Sequence, residues 1–138
     1  MKNGCYTALI TPFINDFVDY EGLEKLTDFQ IINGITGILA VGTTGESPTL
    51  THTEHEMVVE QVVKESANRV PIIAGAGSNS TAETIRFMQH AESVGATAGL
   101  VVTPYYNKPT QAGLIKHFSQ AHNSATIPII IYNIPGRS

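Results

Sequence analysis

A pair of threonines flanked by glycines is the strongest candidate for a binding loop in this sequence. The loop reads Gly-Thr-Thr-Gly-Glu-Ser at residues 42–47 and follows an apolar run at residues 38–41 that is typical of a buried strand. Glycine lets the backbone turn sharply and expose N–H groups, and each threonine adds a hydroxyl. Such a loop suits a small carboxylate or a phosphate. The alternative is an ordinary turn between a strand and a helix.

Three tyrosines and an arginine follow later apolar runs. The hydroxyls of Tyr105, Tyr106 and Tyr132 can pass protons between a substrate and solvent, although tyrosine is also a common packing residue. Arg137 follows a Pro-Gly turn, and its planar guanidinium can hold a carboxylate through two hydrogen bonds. The alternative for Arg137 is a solvated side chain. The position of these residues beside the threonine loop favours a chemical role.

Two histidines, His52 and His55, are three residues apart on a predicted helix and therefore share one face. They can supply half of a metal site, but no set of cysteine or acidic partners completes it, so we predict no metal. The preferred role is to cap the helix or to bind a polar ligand near Asn79 and Glu83. We expect the remaining histidines on solvated helix surfaces, at His90, His117 and His122.

Alternating strands and helices position these residues. Apolar runs predict five strands, at residues 6–10, 38–41, 71–74, 99–103 and 129–132. One helix is predicted over residues 21–33, and three more follow the capping residues Thr51, Ser80 and Thr110. In the last of them, we expect an inward face of Leu114, Ile115 and Phe118. The alternation predicts a parallel sheet, either a doubly wound sheet or part of a (β/α)8 barrel.

Composition and charge exclude several classes of function. The 138-residue chain has a net charge of −4, and its eight Lys and Arg residues are scattered, which argues against nucleic-acid binding. No apolar run approaches the roughly 20 residues of a membrane helix, and the start does not resemble a signal peptide. We therefore expect a cytoplasmic protein with no membrane partner. Gly75 and Gly77 do not complete a dinucleotide fingerprint because residue 80 is serine, so we predict no cofactor.

Three separated motifs together resemble the dihydrodipicolinate synthase family. They are residues 42–47, residues 102–110 (Val-Thr-Pro-Tyr-Tyr-Asn-Lys-Pro-Thr) and residues 132–138 (Tyr-Asn-Ile-Pro-Gly-Arg-Ser), after the second, fourth and fifth predicted strands. The resemblance runs over the whole chain. It implies a (β/α)8 TIM barrel, of which the chain covers about the first five strands and four helices. It also implies a Schiff-base lyase that condenses pyruvate with L-aspartate-4-semialdehyde in diaminopimelate and lysine biosynthesis.

The resemblance further implies roles for individual residues. Thr44 would hold the carboxylate of pyruvate together with Thr43. Thr43, Tyr106 and Tyr132 would form a proton relay in which Tyr106 reaches the active site of an adjacent subunit. Arg137 would bind the carboxylate of the semialdehyde. The family is usually a dimer of dimers, so we expect a homo-oligomer when the protein is full length.

One essential group of the implied chemistry lies outside the matched motifs. The family forms an imine between pyruvate and a lysine on the sixth strand, and this chain ends after the fifth predicted strand. Lys108 matches a different position. We therefore expect residues 1–138 to be the N-terminal part of a single barrel domain, inactive alone. Its exposed apolar edges would favour aggregation or association.

The resemblance also implies a second ligand site. Members of the family that are inhibited by L-lysine bind it between subunits. The matching positions in this sequence are Ser47, His52, His55, Asn79, Glu83 and Tyr105.

Three other functions compete with this interpretation. A related lyase, such as N-acetylneuraminate lyase or a keto-deoxy-sugar aldolase, would share the threonine loop and the imine. Arg137 argues against it, because those relatives usually lack an arginine there. A half-barrel that binds or assembles without catalysis is the second alternative, supported by the missing lysine. A doubly wound nucleotide-binding domain is the third.

Overall fold

The structure, a computed structural model, describes residues 3–138 as strands and helices in alternation. In order they are β1 (Tyr6–Ala8), β2 (Phe13–Ile14), β3 (Phe17–Val18), α1 (Tyr20–Ile32), β4 (Gly37–Ala40), α2 (His52–Ser66), β5 (Ile72–Gly75), α3 (Thr81–Val94), β6 (Ala98–Val102), α4 (Gln111–Asn123) and β7 (Ile129–Tyr132). All five predicted strands and four predicted helices are present. Among residues 3–138, no helix is long and apolar enough to cross a membrane.

Five of the strands form one parallel sheet in the spatial order β1, β4, β5, β6, β7. Each strand therefore lies beside the next strand of that sheet along the chain, and consecutive helices pack against one another. A doubly wound sheet needs a point where the strand order reverses, and this sheet has none. The unreversed order is that of a (β/α)8 barrel, so the doubly wound alternative is wrong.

The helices begin where the capping residues predict. The backbone N–H of Thr51 donates to the Glu54 carboxylate over 2.8 Å, and the Glu54 N–H donates back to the Thr51 hydroxyl over 3.2 Å. The hydroxyls of Ser80 and Thr110 also accept backbone hydrogen bonds, at the starts of α3 and α4. These bonds satisfy N–H groups that a helix start leaves unpaired. They also fix the residue at which each of these helices begins.

The face of the sheet under the helices forms the core. Ile38 and Val101 are 0% exposed there, and Ala40 is 1% exposed. Because side chains alternate along a strand, Leu39 and Leu100 point to the opposite face. That second face is less completely covered. The sheet therefore has one packed face and one face that remains accessible near the strand ends.

The inward face of α4 includes Phe118, as predicted, but differs at two other positions. Ile115 is 69% exposed, whereas His117, which we expected on the surface, is 4% exposed. His117 shares its helix face with the buried Ala121, four residues later. The Thr81 hydroxyl on α3 lies 2.9 Å from Nδ1 of His117. This hydrogen bond between the two helices gives the buried imidazole a polar partner.

Large apolar side chains are exposed at the β7 edge of the sheet, on the hairpin before α1 and at the end of α1. The strands β2 and β3 pair in an antiparallel hairpin that the sequence analysis did not predict. Phe17 in this hairpin is 74% exposed, and Ile32 at the end of α1 is 69% exposed. Ile131 on β7, an edge strand of the five-stranded sheet, is 55% exposed. Aggregation or association through these exposed side chains stays a prediction.

Candidate ligand-binding site

The threonine loop begins with a strained residue just after β4. Val41 has a φ angle of +55°, which is the left-handed region. That region is unfavourable for a β-branched residue, and it turns the chain sharply into the loop. Further along, the buried hydroxyl of Thr11 donates to the Gly45 carbonyl over 2.7 Å. The loop is therefore fixed near both ends.

Close backbone packing holds the loop against the sheet. A Cβ atom on Gly75, the last residue of β5, would lie 2.0 Å from the carbonyl oxygen of Val41. A Cβ atom on Gly45 would lie 3.0 Å from the Cα atom of Val41. Only a residue without a side chain permits the first of these contacts, so Gly75 is required by the position of the loop.

A cavity of about 540 Å³ opens at the carboxyl ends of the strands, and it is hereafter the wide cavity. It is lined by Thr43 and Thr44 from the loop, by Tyr132 at the end of β7, and by Arg137. These are four of the five residues predicted to bind substrate or to transfer protons. The volume lies within the roughly 300–1,000 Å³ of small-molecule sites.

Some polar groups of the wide cavity have no partner in the described chain. The N–H groups of Gly45 and Glu46 donate to carbonyls within the loop, each over 3.1 Å. Among residues 3–138, by contrast, no group accepts a hydrogen bond from the N–H or hydroxyl of Thr43 or Thr44. The guanidinium of Arg137 likewise forms no ion pair with a carboxylate in that range. Free N–H and O–H groups close to a cation suit a carboxylate ligand.

Tyr106, the fifth predicted residue, lies outside the wide cavity. It is 90% exposed, and its φ angle is +69°. Lys108 also has a positive φ, of +43°. Between them, the Asn107 amide donates to the Asn79 carbonyl over 3.1 Å, which ties this loop to the loop after β5. The backbone therefore presents the Tyr106 ring to solvent, away from Thr43 and Tyr132 of the same chain.

A second cavity of about 140 Å³, hereafter the narrow cavity, lies beside the wide one. Of the six residues predicted to bind lysine, four line it and two do not: Ser47, His52, Glu83 and Tyr105 line it, whereas His55 and Asn79 do not. The residues that line both cavities are Ser47, Pro48, Gly77 and Tyr105. The two cavities therefore share a wall.

A hydrogen-bonded carboxylate forms the charged part of the narrow cavity. Oε1 of Glu83 lies 2.9 Å from Nε2 of His52, and Oε2 accepts from the Ser78 hydroxyl over 2.5 Å. The hydrogen bond from Ser78 is the main cause that lowers the pKa of Glu83, and the bond from His52 adds to it. Hydrogen bonds to an ionised carboxylate favour its charged form. Glu83 is therefore an anion at neutral pH.

His55 packs behind the narrow cavity instead of lining it. Its ring is 3% exposed and stacks on Phe87, with ring centroids 3.9 Å apart and planes inclined by 13°. Neither ring nitrogen has a hydrogen-bond partner within the described chain. The nearby backbone of Gly75 favours the protonated ring and acts to raise the pKa of His55. Burial outweighs this and lowers the pKa of His55 to about 4. The ring is uncharged at neutral pH.

The two histidines that share one face of α2 have separate environments. His52 faces Glu83, whereas His55 is covered by Phe87. Residues 3–138 contain no group of three or more His, Cys, Asp or Glu side chains placed to hold a metal ion. The three-residue spacing therefore places His52 at the narrow cavity and His55 in the core.

The dihydrodipicolinate synthetase family model matches residues 1–138 of this chain. The chain belongs to this family. It is 64% identical over 138 residues to the 4-hydroxy-tetrahydrodipicolinate synthase of Roseobacter denitrificans, a match that covers 100% of the chain and 47% of that relative. The chain thus spans about half the length of the curated relatives it matches.

Two solved structures of dihydrodipicolinate synthases are similar to this chain. The enzyme from Acinetobacter baumannii, complexed with pyruvate, is 46% identical with a TM-score of 0.95, and the match covers 98% of this chain and 47% of that one. The enzyme from Cyanidioschyzon merolae, with lysine bound, is 43% identical with a TM-score of 0.93, and the match covers 97% and 46%. Together with the strand order, these similarities confirm the predicted partial (β/α)8 barrel and the family resemblance.

Three residues that organise the site in this family member were missed by sequence reasoning. Thr11 anchors the threonine loop, Ser78 donates to Glu83, and Arg86 contacts His52. Arg86 carried a usable signal, because it is three residues after Glu83 and so shares its helix face. Thr11 and Ser78 act across loops, and no periodic pattern marks such contacts.

Proposed function

We propose that this chain forms the pyruvate-binding part of a 4-hydroxy-tetrahydrodipicolinate synthase, which condenses pyruvate with L-aspartate-4-semialdehyde in lysine biosynthesis. The observation that carries the proposal is the unpaired N–H and hydroxyl groups of Thr43 and Thr44 in the wide cavity. Family membership and the pyruvate complex of the Acinetobacter relative support it.

The proposed roles follow from the groups that line the wide cavity. Thr44 and Thr43 donate hydrogen bonds to the carboxylate of pyruvate, which orients the keto carbon toward the imine-forming amine. Tyr132 transfers protons at that carbon, with Thr43 as its neighbour in the relay. Arg137 pairs with the carboxylate of the semialdehyde, because its guanidinium has no internal partner among residues 3–138.

The imine-forming lysine is not assigned to any residue of this chain. Lys108 lies in the loop after β6 and lines neither cavity. The proposed chemistry needs an amine close to the keto carbon of pyruvate, so Lys108 is not that amine. We therefore infer that residues 1–138 bind pyruvate without turning it over.

An oligomer in the cytoplasm is part of the proposal. The exposed ring of Tyr106 is held outward by its backbone, and it completes the relay only if it enters the site of another subunit. A homo-oligomer built from tight dimers supplies that arrangement when the protein is full length. The low content of cysteine is consistent with a reducing compartment.

We further propose that the narrow cavity binds L-lysine as a feedback inhibitor. Glu83 provides a negative charge for an ammonium group, and Ser47 and Tyr105 provide hydroxyls. The relative from Cyanidioschyzon merolae has lysine bound, which supports this ligand. Since Ser47 and Tyr105 also line the wide cavity, a ligand here contacts residues that pyruvate would approach.

Two experiments on the 138-residue chain test the main proposal. In an NMR titration with pyruvate, the amide signals of Thr43 and Thr44 should shift, and Thr44→Val should weaken binding about tenfold or more, because a hydrogen bond to a charged group is lost. Thr53→Val, at an exposed position of α2, is the matched control and should bind pyruvate normally. Borohydride reduction with pyruvate should leave the intact mass unchanged.

Each alternative predicts a different result in these experiments. Absence of any shift at Thr43 and Thr44 would overturn the pyruvate site and favour an assembly module without catalysis. A reduced adduct on Lys108 would overturn our account of the lysine. Tighter binding of N-acetylneuraminate than of pyruvate with the semialdehyde, measured on the full-length enzyme, would favour the related lyase.

A further inference from the structure

Arg86 on α3 makes a set of contacts that links the narrow cavity to the neighbouring helix α2. Its Nε and Nη2 atoms donate to the two carboxylate oxygens of Glu56, over 2.6 Å and 3.0 Å. Its remaining nitrogen, Nη1, lies 3.3 Å from Nδ1 of His52. The bidentate pair with Glu56 fixes the guanidinium plane, because both of its hydrogen bonds constrain the same rigid group.

These contacts determine which ring nitrogen of His52 carries the proton. A guanidinium has only donors, so Nδ1 of His52 must be the acceptor and carries no hydrogen. The neutral ring then has its proton on Nε2, which lies 2.9 Å from the acceptor Oε1 of Glu83. An edge contact with Phe87, at 5.4 Å between ring centroids, holds the ring from a third side. Both nitrogens of His52 are thus used within the chain.

We propose that Arg86 is a positioning residue of the narrow cavity, which holds His52 as the Nε2–H tautomer so that His52 orients Glu83 and forms no hydrogen bond with the ligand itself. The identity of the ligand, L-lysine, rests on the function proposed above, whereas the tautomer does not. The chain of contacts runs from Glu56 through Arg86 and His52 to Glu83. The cation is received by Glu83 alone.

The tautomer is tested on the ligand-free 138-residue chain by long-range ¹H–¹⁵N spectra of the histidine rings at about pH 8, where an ordinary histidine is neutral. We expect Nδ1 of His52 in the unprotonated range of chemical shift and Nε2 in the protonated range. In the double variant Glu56→Gln/Arg86→Met, which removes the ion pair without changing the net charge, the two signals should move toward each other. A protonated Nδ1 in the unsubstituted chain, or an unchanged spectrum in the double variant, would overturn the proposal.

Lysine binding to the full-length enzyme, measured by calorimetry, tests the role of His52. A glutamine can accept from Arg86 through its carbonyl oxygen and donate to Glu83 through its amide, so His52→Gln should keep the affinity within about twofold. His52→Leu and the Glu56→Gln/Arg86→Met variant should each weaken binding about fivefold, the effect of one ordinary hydrogen bond. Asp28→Asn/Arg69→Met removes a similar exposed pair between α1 and the end of α2, and it should have no effect.

The outcomes separate this proposal from the proposed lysine site. If the unsubstituted full-length enzyme does not bind lysine, the proposed effector is wrong, and the ring spectra still decide whether Arg86 fixes the tautomer. If lysine binds and His52→Gln loses affinity as much as His52→Leu, the ring contacts the ligand directly and the positioning role is wrong.

Discussion

The two cavities differ in how their polar groups are satisfied. In the wide cavity, the donors of Thr43 and Thr44 and the cation of Arg137 have no partner among residues 3–138. In the narrow cavity, both oxygens of Glu83 are already hydrogen-bonded, to His52 and to Ser78. Unpaired donors gain most from a ligand that supplies the acceptors, whereas a satisfied carboxylate has its orientation and charge fixed before any ligand arrives.

The cavities also differ in what builds their walls. Backbone atoms of Val41 and Gly75 in direct contact hold the loop of the wide cavity, whereas side chains on α2 and α3 form the hydrogen-bonded charged part of the narrow one. Backbone contacts tolerate no added volume, while a network of side chains can lose one member and keep its shape. Substitutions behind the wide cavity should therefore act on folding, and those around the narrow cavity on ionisation and affinity.

The largest expected effect is that of Gly75→Ala behind the wide cavity. The new methyl group would lie 2.0 Å from the Val41 carbonyl oxygen, and neither backbone segment can move away without breaking the sheet. We expect a loss of about 3–4 kcal/mol in the free energy of unfolding, measured by urea denaturation. Gly136→Ala is the control, because a Cβ there meets no heavy atom within 4 Å. Equal stabilities of the two variants would contradict the account of the loop.

A smaller effect, of about 2–3 kcal/mol, is expected from pH at His55 behind the narrow cavity. The pKa of His55 is lowered to about 4 by burial, while the same group in the unfolded chain titrates near 6.5. Below pH 6.5 the unfolded chain therefore binds a proton that the native chain does not. Stability from the neutral, buried ring is present above pH 6.5 and is lost as the pH falls toward 4.

Urea denaturation at pH 7 and at pH 4.5 measures this loss. The variant His55→Leu lacks the titrating group, so its stability should fall less than that of the unsubstituted chain over the same range. Near pH 7 the variant loses a stacking contact but also removes two ring nitrogens without partners, which limits the net change. The exposed His122→Leu should keep the original pH dependence. If His55→Leu also keeps the original pH dependence of stability, the buried ring is not the source of that dependence.

Much of the fold could be predicted because the apolar runs and caps are local signals. The helix starts after Thr51, Ser80 and Thr110 were predicted correctly from residue type and spacing. The face of α4 was predicted only in part, because Phe118 packs against the core but Ile115 was preferred over His117 on hydrophobicity alone. The buried stripe includes His117, whose Nδ1 atom has a hydrogen-bond partner in Thr81 on another helix. A contact across elements of that kind has no signature in the local sequence.

The candidate site could be predicted in part for the same reason. Residues at strand ends meet wherever the strands are parallel, so Thr44, Tyr132 and Arg137 were expected together and line one cavity. The position of Val41 in the left-handed region was not predicted, since a β-branched residue rarely adopts it. The packing of the loop on β5 imposes this conformation. The sequence of the loop alone gives no sign of that packing.

The smallest expected effect, and the sharpest comparison of the two cavities, is that of Ser78→Ala on the titration of Glu83. The hydroxyl of Ser78 is the main cause of the lowered pKa of Glu83, so its removal should raise that pKa toward the ordinary value. The charge of Glu83 stabilises the native chain above its unfolded pKa, and this stability is lost as the pH falls through the native pKa. In Ser78→Ala the loss should begin at higher pH.

Carbon NMR of the Glu83 carboxyl group measures the shift directly. Ser93→Ala is the control, because that exposed hydroxyl on the same helix donates to the His90 carbonyl and does not contact Glu83. At pH 7 the carboxylate is ionised in either variant, so lysine affinity should change little there and should fall in Ser78→Ala only under more acidic conditions. An unchanged titration in Ser78→Ala would mean that His52 alone sets the charge of the narrow cavity, and the network would then depend on Arg86 more than on the loop after β5.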